Sequence, residues 1–500
     1  MNVQLIILIV YVVALLGISW WSAGLVKRSS NGALGYLLAG RNMPVPLIVV
    51  MLVGLAVGGA STVGVAERAY TQGLSAGWYN AAWGLGGILV GLTVAKRFRR
   101  MRVKTIPEMM GAMFGGKTRL LSVICQLLVI LSITALQYVA GGAILTALLP
   151  DLFTMKQGMI ASAAIFILIT LIGGYWASGL TNLINVVMIY LGIIVALWQA
   201  LGKAGGMEVV TASLPVSDVW LDPVSGMGIA TVCAFVVVMC TMAVSNQAVS
   251  QISFAARDGR TARRGFLIGG ILVLPAGFLC AIFGIIAAAL YPNLESPAMA
   301  LPMLVTQLTP LVGGIFLAAL WAADVSTAVG LLMGCSTLVM EDVVKKACRK
   351  PLGQKSEVLV SRLVVLGVSL AAFVLALTVV GILKTLTTAL AMTTSFTLLI
   401  IAGLYFPRLC RKAAGLPIVA ASLLLWVVWT YFPQWRIGPE LIYMEWIVCG
   451  GIFLLCALIC KEPAGNLVDP HTGIIAGQAD DENGAGSEIE ESVPVAPQVV

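Results

Sequence analysis

The sequence predicts an all-α integral membrane protein, and three observations carry that prediction. Of 500 residues, 60% are hydrophobic and only 10% are charged. Mean hydropathy is +1.00, outside the range of soluble globular domains. The apolar residues also fall in runs of about 20, the length a helix needs to cross the hydrocarbon core of a bilayer.

Thirteen such runs are read, at about 3–24, 45–67, 75–95, 120–149, 157–176, 180–201, 227–252, 265–290, 310–340, 359–381, 386–406, 416–433 and 440–460. The first has no Lys or Arg ahead of it and no small-residue cleavage pattern behind it, which predicts a retained helix. The second gathers Gly54, Gly58, Gly59, Ala60 and Ser61 at its middle, with no aromatic residue until Tyr70. That composition lets a helix unwind at the midplane and offer free carbonyls; it serves close helix packing equally well. The ninth run carries Asp324 and the adjacent hydroxyls Ser326 and Thr327. Charged groups at membrane depth are costly and mark ion or substrate pathways. Ala323, Ser326 and Thr327 share one helical face, with Asp324 about 100° round from Ala323. Two hydroxyls and a nearby carbonyl suit a small hard cation if another segment completes the set; they also suit hydrogen bonds to the preceding turn or to a neighbouring helix.

Cationic clusters at Lys96 to Lys104, Arg257 to Arg264, Lys345 to Lys350 and Arg408 to Lys412, with Lys27, Arg28 and Arg41, fall on one side if thirteen spans alternate. Because Lys and Arg favour the cytoplasmic side, the N-terminus is expected outside and the C-terminus inside a multi-pass cell membrane, bacterial or archaeal. The net charge of +8 is then a topological signal, and no nucleic-acid partner is expected. The ten cysteines show no CxxC pair, which predicts free thiols. The chain divides into a transmembrane domain, 1–460, and a tail, 461–500, whose single lysine against eight acids predicts a disordered acidic segment. No histidine, paired-aspartate or nucleophile–base constellation lies among the spans, so no enzyme is expected.

Several segments in order carry a family resemblance: "YLLAGRNMP" (36–44), "GVAERAYTQGLSAGWY" (64–79), "IPEMM" (106–110), "SNQAVSQISFAARDGRTARRG" (245–265) and "VSTAVGLLMGCSTLVMEDVVKK" (325–346). Together they resemble the sodium:solute symporter family over residues 5–460. The resemblance implies a core of two five-helix inverted repeats, spans 2–6 and 7–11, with sites at their interface. It implies a co-transported sodium ion bound by the carbonyls of Gly54, Val57 and Ala323 and the hydroxyls of Ser326 and Thr327. The second sodium site of some members is missing here, since Asn182, Val329 and Gly330 stand at its positions; one sodium per cycle is expected. Asp324 has no general family counterpart and is a candidate for ion coupling, to sodium or to a proton.

The solute cavity is expected to be lined by Ser61 and Thr62, by Trp78, Asn80 and Trp83, by Gln137 and Tyr138, by Asn246 and Gln247, and by Thr393, Thr394 and Ser395. These neutral polar and aromatic groups suit a small polar solute, an amino acid or related zwitterion before a small carboxylate. A channel or a transporter-like sensor is the rival class. The sequence sets no oligomeric state.

Overall fold

The computed structural model describes residues 3–29, 33–101, 103–215, 219–294, 297–348, 352–377, 388–438 and 440–465. Fifteen helices carry the architecture: α1 (Val3–Ser29), α2 (Val45–Ala56), α3 (Gly59–Gln72), α4 (Trp78–Leu92), α5 (Ile106–Phe114), α6 (Gly116–Leu148), α7 (Met155–Lys203), α8 (Ile229–Ser245), α9 (Gln247–Ala255), α10 (Gly259–Leu290), α11 (Pro310–Leu338), α12 (Gln354–Ala376), α13 (Thr394–Tyr405), α14 (Gly415–Tyr431) and α15 (Leu441–Ile459). Among the described residues no strand forms, as expected. Nine helices among the described residues are long and apolar enough to cross a membrane, and two further pairs qualify across a bend, one of 43° between α2 and the α3–α4 segment and one of 49° between α8 and α9.

Helix α11 is the axis of the molecule. It is buried nearly throughout and packs on α7, α6 and α1, while α10 packs on α4, α3 and α2. The second group approaches closely because small residues meet: a Cβ on Gly270 would lie 2.7 Å from Gly84 O, and one on Gly277 would lie 2.3 Å from Gly77 O. Large apolar residues such as Trp20, Trp21, Trp198 and Leu458 point outward, the surface expected of a protein solvated by lipid.

Three boundaries differ from the sequence reading. The runs at 157–176 and 180–201 form one continuous helical stretch, α7, whose break falls at Gly174 (φ 55°, ψ −141°), a conformation open to glycine and strained for other residues. The span at 227–252 breaks at Asn246, where Ser245, Asn246 and Gln247 interrupt the apolar run. Asn246 is extended and its side chain caps α9 by accepting the Ala248 amide at 2.9 Å. The third lies at the start of the expected tail, where Lys412 N donates to Glu462 O, Ala464 N to Cys410 O and Gly465 N to Met113 O at 2.8–3.1 Å. The remaining tail residues, 466–500, lie outside the described residues, as do 378–387 between the tenth and eleventh predicted spans.

The basic segments do collect at one end of the bundle. Arg41 donates to Val103 O, Arg99 to Ala256 O and Arg257 O, and Lys104 pairs with Glu341 at 3.0 Å. Lys345 bridges Glu341 and Glu357, and Arg119 holds the buried Asp342. Beyond Leu338 the chain continues through a π-helical turn, Val339–Val344, which carries Glu341 and Asp342, while Glu357 comes from α12. All ten cysteines are free.

Candidate functional site

The site begins with a rupture of the span formed by α2 and α3. In an unbroken helix the amides of Gly58 and Gly59 would bond the carbonyls of Gly54 and Leu55. Here the Gly58 amide donates to Ser61 Oγ at 2.6 Å and the Gly59 amide to Gln137 Oε1 of α6 at 3.2 Å. The carbonyls of Gly54 and Leu55 are thereby released, and α11 engages them. Ser326 Oγ lies 2.7 Å from Gly54 O and 2.7 Å from Ala323 O. Thr327 Oγ1 lies 2.8 Å from Gly54 O, 3.2 Å from Ala323 O and 3.4 Å from Leu55 O. Five oxygens from two helices, three of them carbonyls and two hydroxyls, meet in a buried spot.

Of the five residues expected to hold a cation, the structure brings Gly54, Ala323, Ser326 and Thr327 together. Val57 is buried at the rupture (φ −101°, ψ 85°), one turn along from Gly54. Leu55, whose carbonyl the Thr327 hydroxyl reaches, was not foreseen. Asn182 stands beside this spot, its Nδ2 2.6 Å from where a Cβ on Gly54 would be, and its Oδ1 accepts from Asn185.

The oxygens suit a hard cation, but not at their present spacing. Ligand distances around calcium, which is close to sodium in radius, are about 2.3–2.6 Å, so two ligands at right angles stand about 3.4 Å apart. Entry of such an ion therefore replaces the 2.7–2.8 Å hydrogen bonds and moves α2 and α11 apart by a fraction of an ångström.

Next to this spot lies a small cavity lined by Leu55, Ala56, Gly58, Ser61, Tyr79, Trp83, Ile133, Gln137, Met242, Asn246, Val249, Thr327, Leu331 and Leu390. Thr327, Gly58 and Leu55 thus belong to both. Of the expected cavity residues, Ser61, Trp83, Gln137 and Asn246 line it. The others lie elsewhere. Thr62 bonds the Gly58 carbonyl of its own helix. Trp78 packs edge-on to Phe278, and Asn80 is buried with neither amide atom bonded. Tyr138 donates to or accepts from Ser369 at 2.6 Å and stacks on Phe166. Gln247 ties the Ile106 amide and the Lys104 carbonyl at the basic end. Thr393, Thr394 and Ser395 turn their hydroxyls to carbonyls three residues back. Tyr79, Met242 and Leu390 were missed by a reading that sought hydrogen-bonding groups at the ends and middles of spans.

Asp324 is fully buried on α11, outside the cavity lining, and neither carboxylate oxygen has a hydrogen-bond partner. Glu445 of α15 is buried too, with Cys449 Sγ 3.6 Å from its Oε2.

A polytopic helix bundle whose spans break at depth, with oxygen donors and a polar-lined cavity gathered at one break, is the architecture of a secondary transporter. The chain belongs to the sodium:solute symporter family, whose model matches residues 36–417 and whose co-transported ion is sodium. It is 27% identical to the sodium/glucose cotransporter 4 of Danio rerio over 404 residues, 71% of this chain and 59% of that protein. It is 26% identical to the sodium/proline symporter of Escherichia coli (strain K12) over 451 residues, 83% of this chain and 87% of that one. The chain thus spans about three fifths of the length of the first of these relatives. Among solved structures, a substrate-bound, outward-open Na+-coupled sialic acid symporter shares the fold with a TM-score of 0.76 at 17% identity, covering 92% of this chain and 99% of that one.

Proposed function

We propose that the protein imports a small, neutral polar solute, an amino acid or related zwitterion, by sodium-coupled alternating access. The observation that carries the substrate class is the cavity lining: Ser61, Tyr79, Trp83, Gln137, Asn246 and Thr327 offer hydroxyls, amides and aromatic faces, and no charged side chain is among the lining residues. Among the described lining residues an anionic solute would find no cationic clamp, which disfavours a small carboxylate.

In this reading the ion enters among Gly54 O, Ala323 O, Ser326 Oγ and Thr327 Oγ1, with the Val57 carbonyl completing the set. Thr327 then touches both ligands, so ion and solute each favour the arrangement the other requires, and the coupling is reciprocal. The thirteen-span count and the paired five-helix repeats follow if α7 is two spans hinged at Gly174 and if α2–α3 and α8–α9 are the equivalent broken first helices of the two halves. The basic end, closed by Arg119–Asp342 and the Lys104–Glu341–Lys345 links, faces the cytoplasm, with the N-terminus outside. A membrane potential adds about 2.3 kcal/mol per charge moved per 100 mV.

The test is uptake by proteoliposomes of pooled, labelled amino acids, organic acids, sugars and nucleobases with and without an inward sodium gradient. Sodium-dependent accumulation of a neutral or zwitterionic compound is expected. Accumulation confined to a carboxylate would refute the substrate class, and saturable exchange would distinguish a carrier from a channel.

A further inference from the structure

A buried carboxylate is normally paired with a cation or holds a metal ion, because leaving its charge uncompensated away from water is expensive. Asp324 has no such pairing. It is fully buried, the Gly59 amide is the one donor set against it, neither oxygen makes a hydrogen bond of good geometry, and among the described residues no cationic side chain interacts with it. The groups set around it come from four elements and carry no positive charge: Gly59 of α3, Gln137, Tyr138 and Gly141 of α6, Ser162 of α7, and Trp321 of its own helix.

What does gather there is oxygen. The position that a Cβ on Gly141 would take is 2.5 Å from Asp324 Oδ2 and 2.7 Å from Ser162 Oγ; the corresponding position on Gly59 is 2.9 Å from Asp324 Oδ1. Gln137 Oε1 accepts the amide of the same Gly59 at 3.2 Å. Ser162 Oγ accepts the Trp321 indole at 2.9 Å, which fixes the hydroxyl and leaves a further lone pair for a ligand. Alanine at Gly59 or Gly141 would intrude on the carboxylate, so the two glycines keep the space around it clear.

We propose that Asp324, Ser162 and Gln137 form a second binding site for a sodium-sized monovalent cation, alongside the site built on Gly54 and Ala323. It rests on the sodium-coupled reading for the nature of the ion. Its place differs from the one tested by Asn182, Val329 and Gly330, since Asn182 packs on Gly54 whereas Asp324 faces Gly59 and Gly141. The two sites share α11, and the carboxylate offsets the repulsion between two cations held on one helix.

Equilibrium binding of radiolabelled sodium to the purified full-length protein in nanodiscs, at ionic strength fixed with choline chloride, decides the matter. Wild type is expected to bind two ions per chain. Asp324→Asn is expected to bind one, and Ser162→Ala to weaken one of the two by about tenfold or more; should Asp324→Asn fail to yield monodisperse protein, Ser162→Ala carries the test. A wild type that binds a single ion, or variants that bind as many as wild type with unchanged affinity, overturns the proposal. Failure of the first site shows separately, as a Ser326→Ala/Thr327→Ala variant that keeps the wild-type count.

Discussion

Ser61→Ala tests the idea that diverted amides create the ion site. Ser61 Oγ accepts the Gly58 amide at 2.6 Å, and without it that amide has two courses. It can remain buried and unbonded, at a cost of about 1–3 kcal/mol, or it can return to Gly54 O and re-form the helical bond. The second course takes up the carbonyl that Ser326 and Thr327 now reach at 2.7–2.8 Å. Either way the ruptured form needed for ion binding is penalised by about 1–3 kcal/mol, and at 1.4 kcal/mol per tenfold sodium affinity should fall roughly 5- to 150-fold. Titrating sodium against choline while following thermal stability of the purified protein measures it. Because Ser61 also lines the cavity, solute affinity measured at saturating sodium serves as the control. Unchanged sodium affinity with weakened solute binding would refute the reasoning and reduce Ser61 to a wall residue.

Three further outcomes are expected. Arg119→Met should destabilise the protein by about 3 kcal/mol, the low end for a broken buried ion pair, because Asp342 is left buried while Arg119 is only 21% exposed; the double variant with Asp342→Leu should recover much of the loss in chemical denaturation. Asp258→Ala should cost about 1 kcal/mol by uncapping α10, whose Thr261 amide Asp258 accepts at 2.7 Å. Desolvation raises the Asp258 pKa, but the Thr261 amide and hydroxyl and Arg257 outweigh it and hold the carboxyl below its usual range. The cap is therefore at full strength above the ordinary carboxylate pKa and is lost as pH falls through the lower folded value, so wild-type and variant stability curves should converge only in acid. Gly174→Ala should cost at least 1–2 kcal/mol, since φ is positive and the new Cβ would lie 2.6 Å from Tyr36 O; an unchanged melting temperature would contradict the hinge geometry.

Much of this was legible in the sequence because hydrophobic runs of fixed length, a glycine cluster and a hydroxyl pair are local signals. The meeting of Gly54 with Ser326 and Thr327 joins residues some 272 positions apart, and only the family resemblance suggested it. The device that opens the α2–α3 break was not legible, since it depends on Gln137 arriving from α6. The bend at Asn246 lies in the polar stretch Ser245–Gln247, whose amides read as cavity groups, and one capping side chain redirects the helix there. Asp324 was conspicuous as a charge, yet its want of partners and its place between Gly59 and Gly141 are facts of packing. Tyr138 and Gln247 read as cavity groups by type; tertiary hydrogen bonds to Ser369, Ile106 and Lys104 take them elsewhere.

The central claim is that sodium drives transport through the oxygens shared by α2 and α11. Accumulation of the solute found in the pooled screen, driven by a sodium gradient in proteoliposomes, should be strong for wild type and lost in Ser326→Ala/Thr327→Ala, with the protein still folded and inserted. Accumulation that persists in the double variant, or that follows a proton gradient and vanishes on Asp324→Asn, would contradict the account.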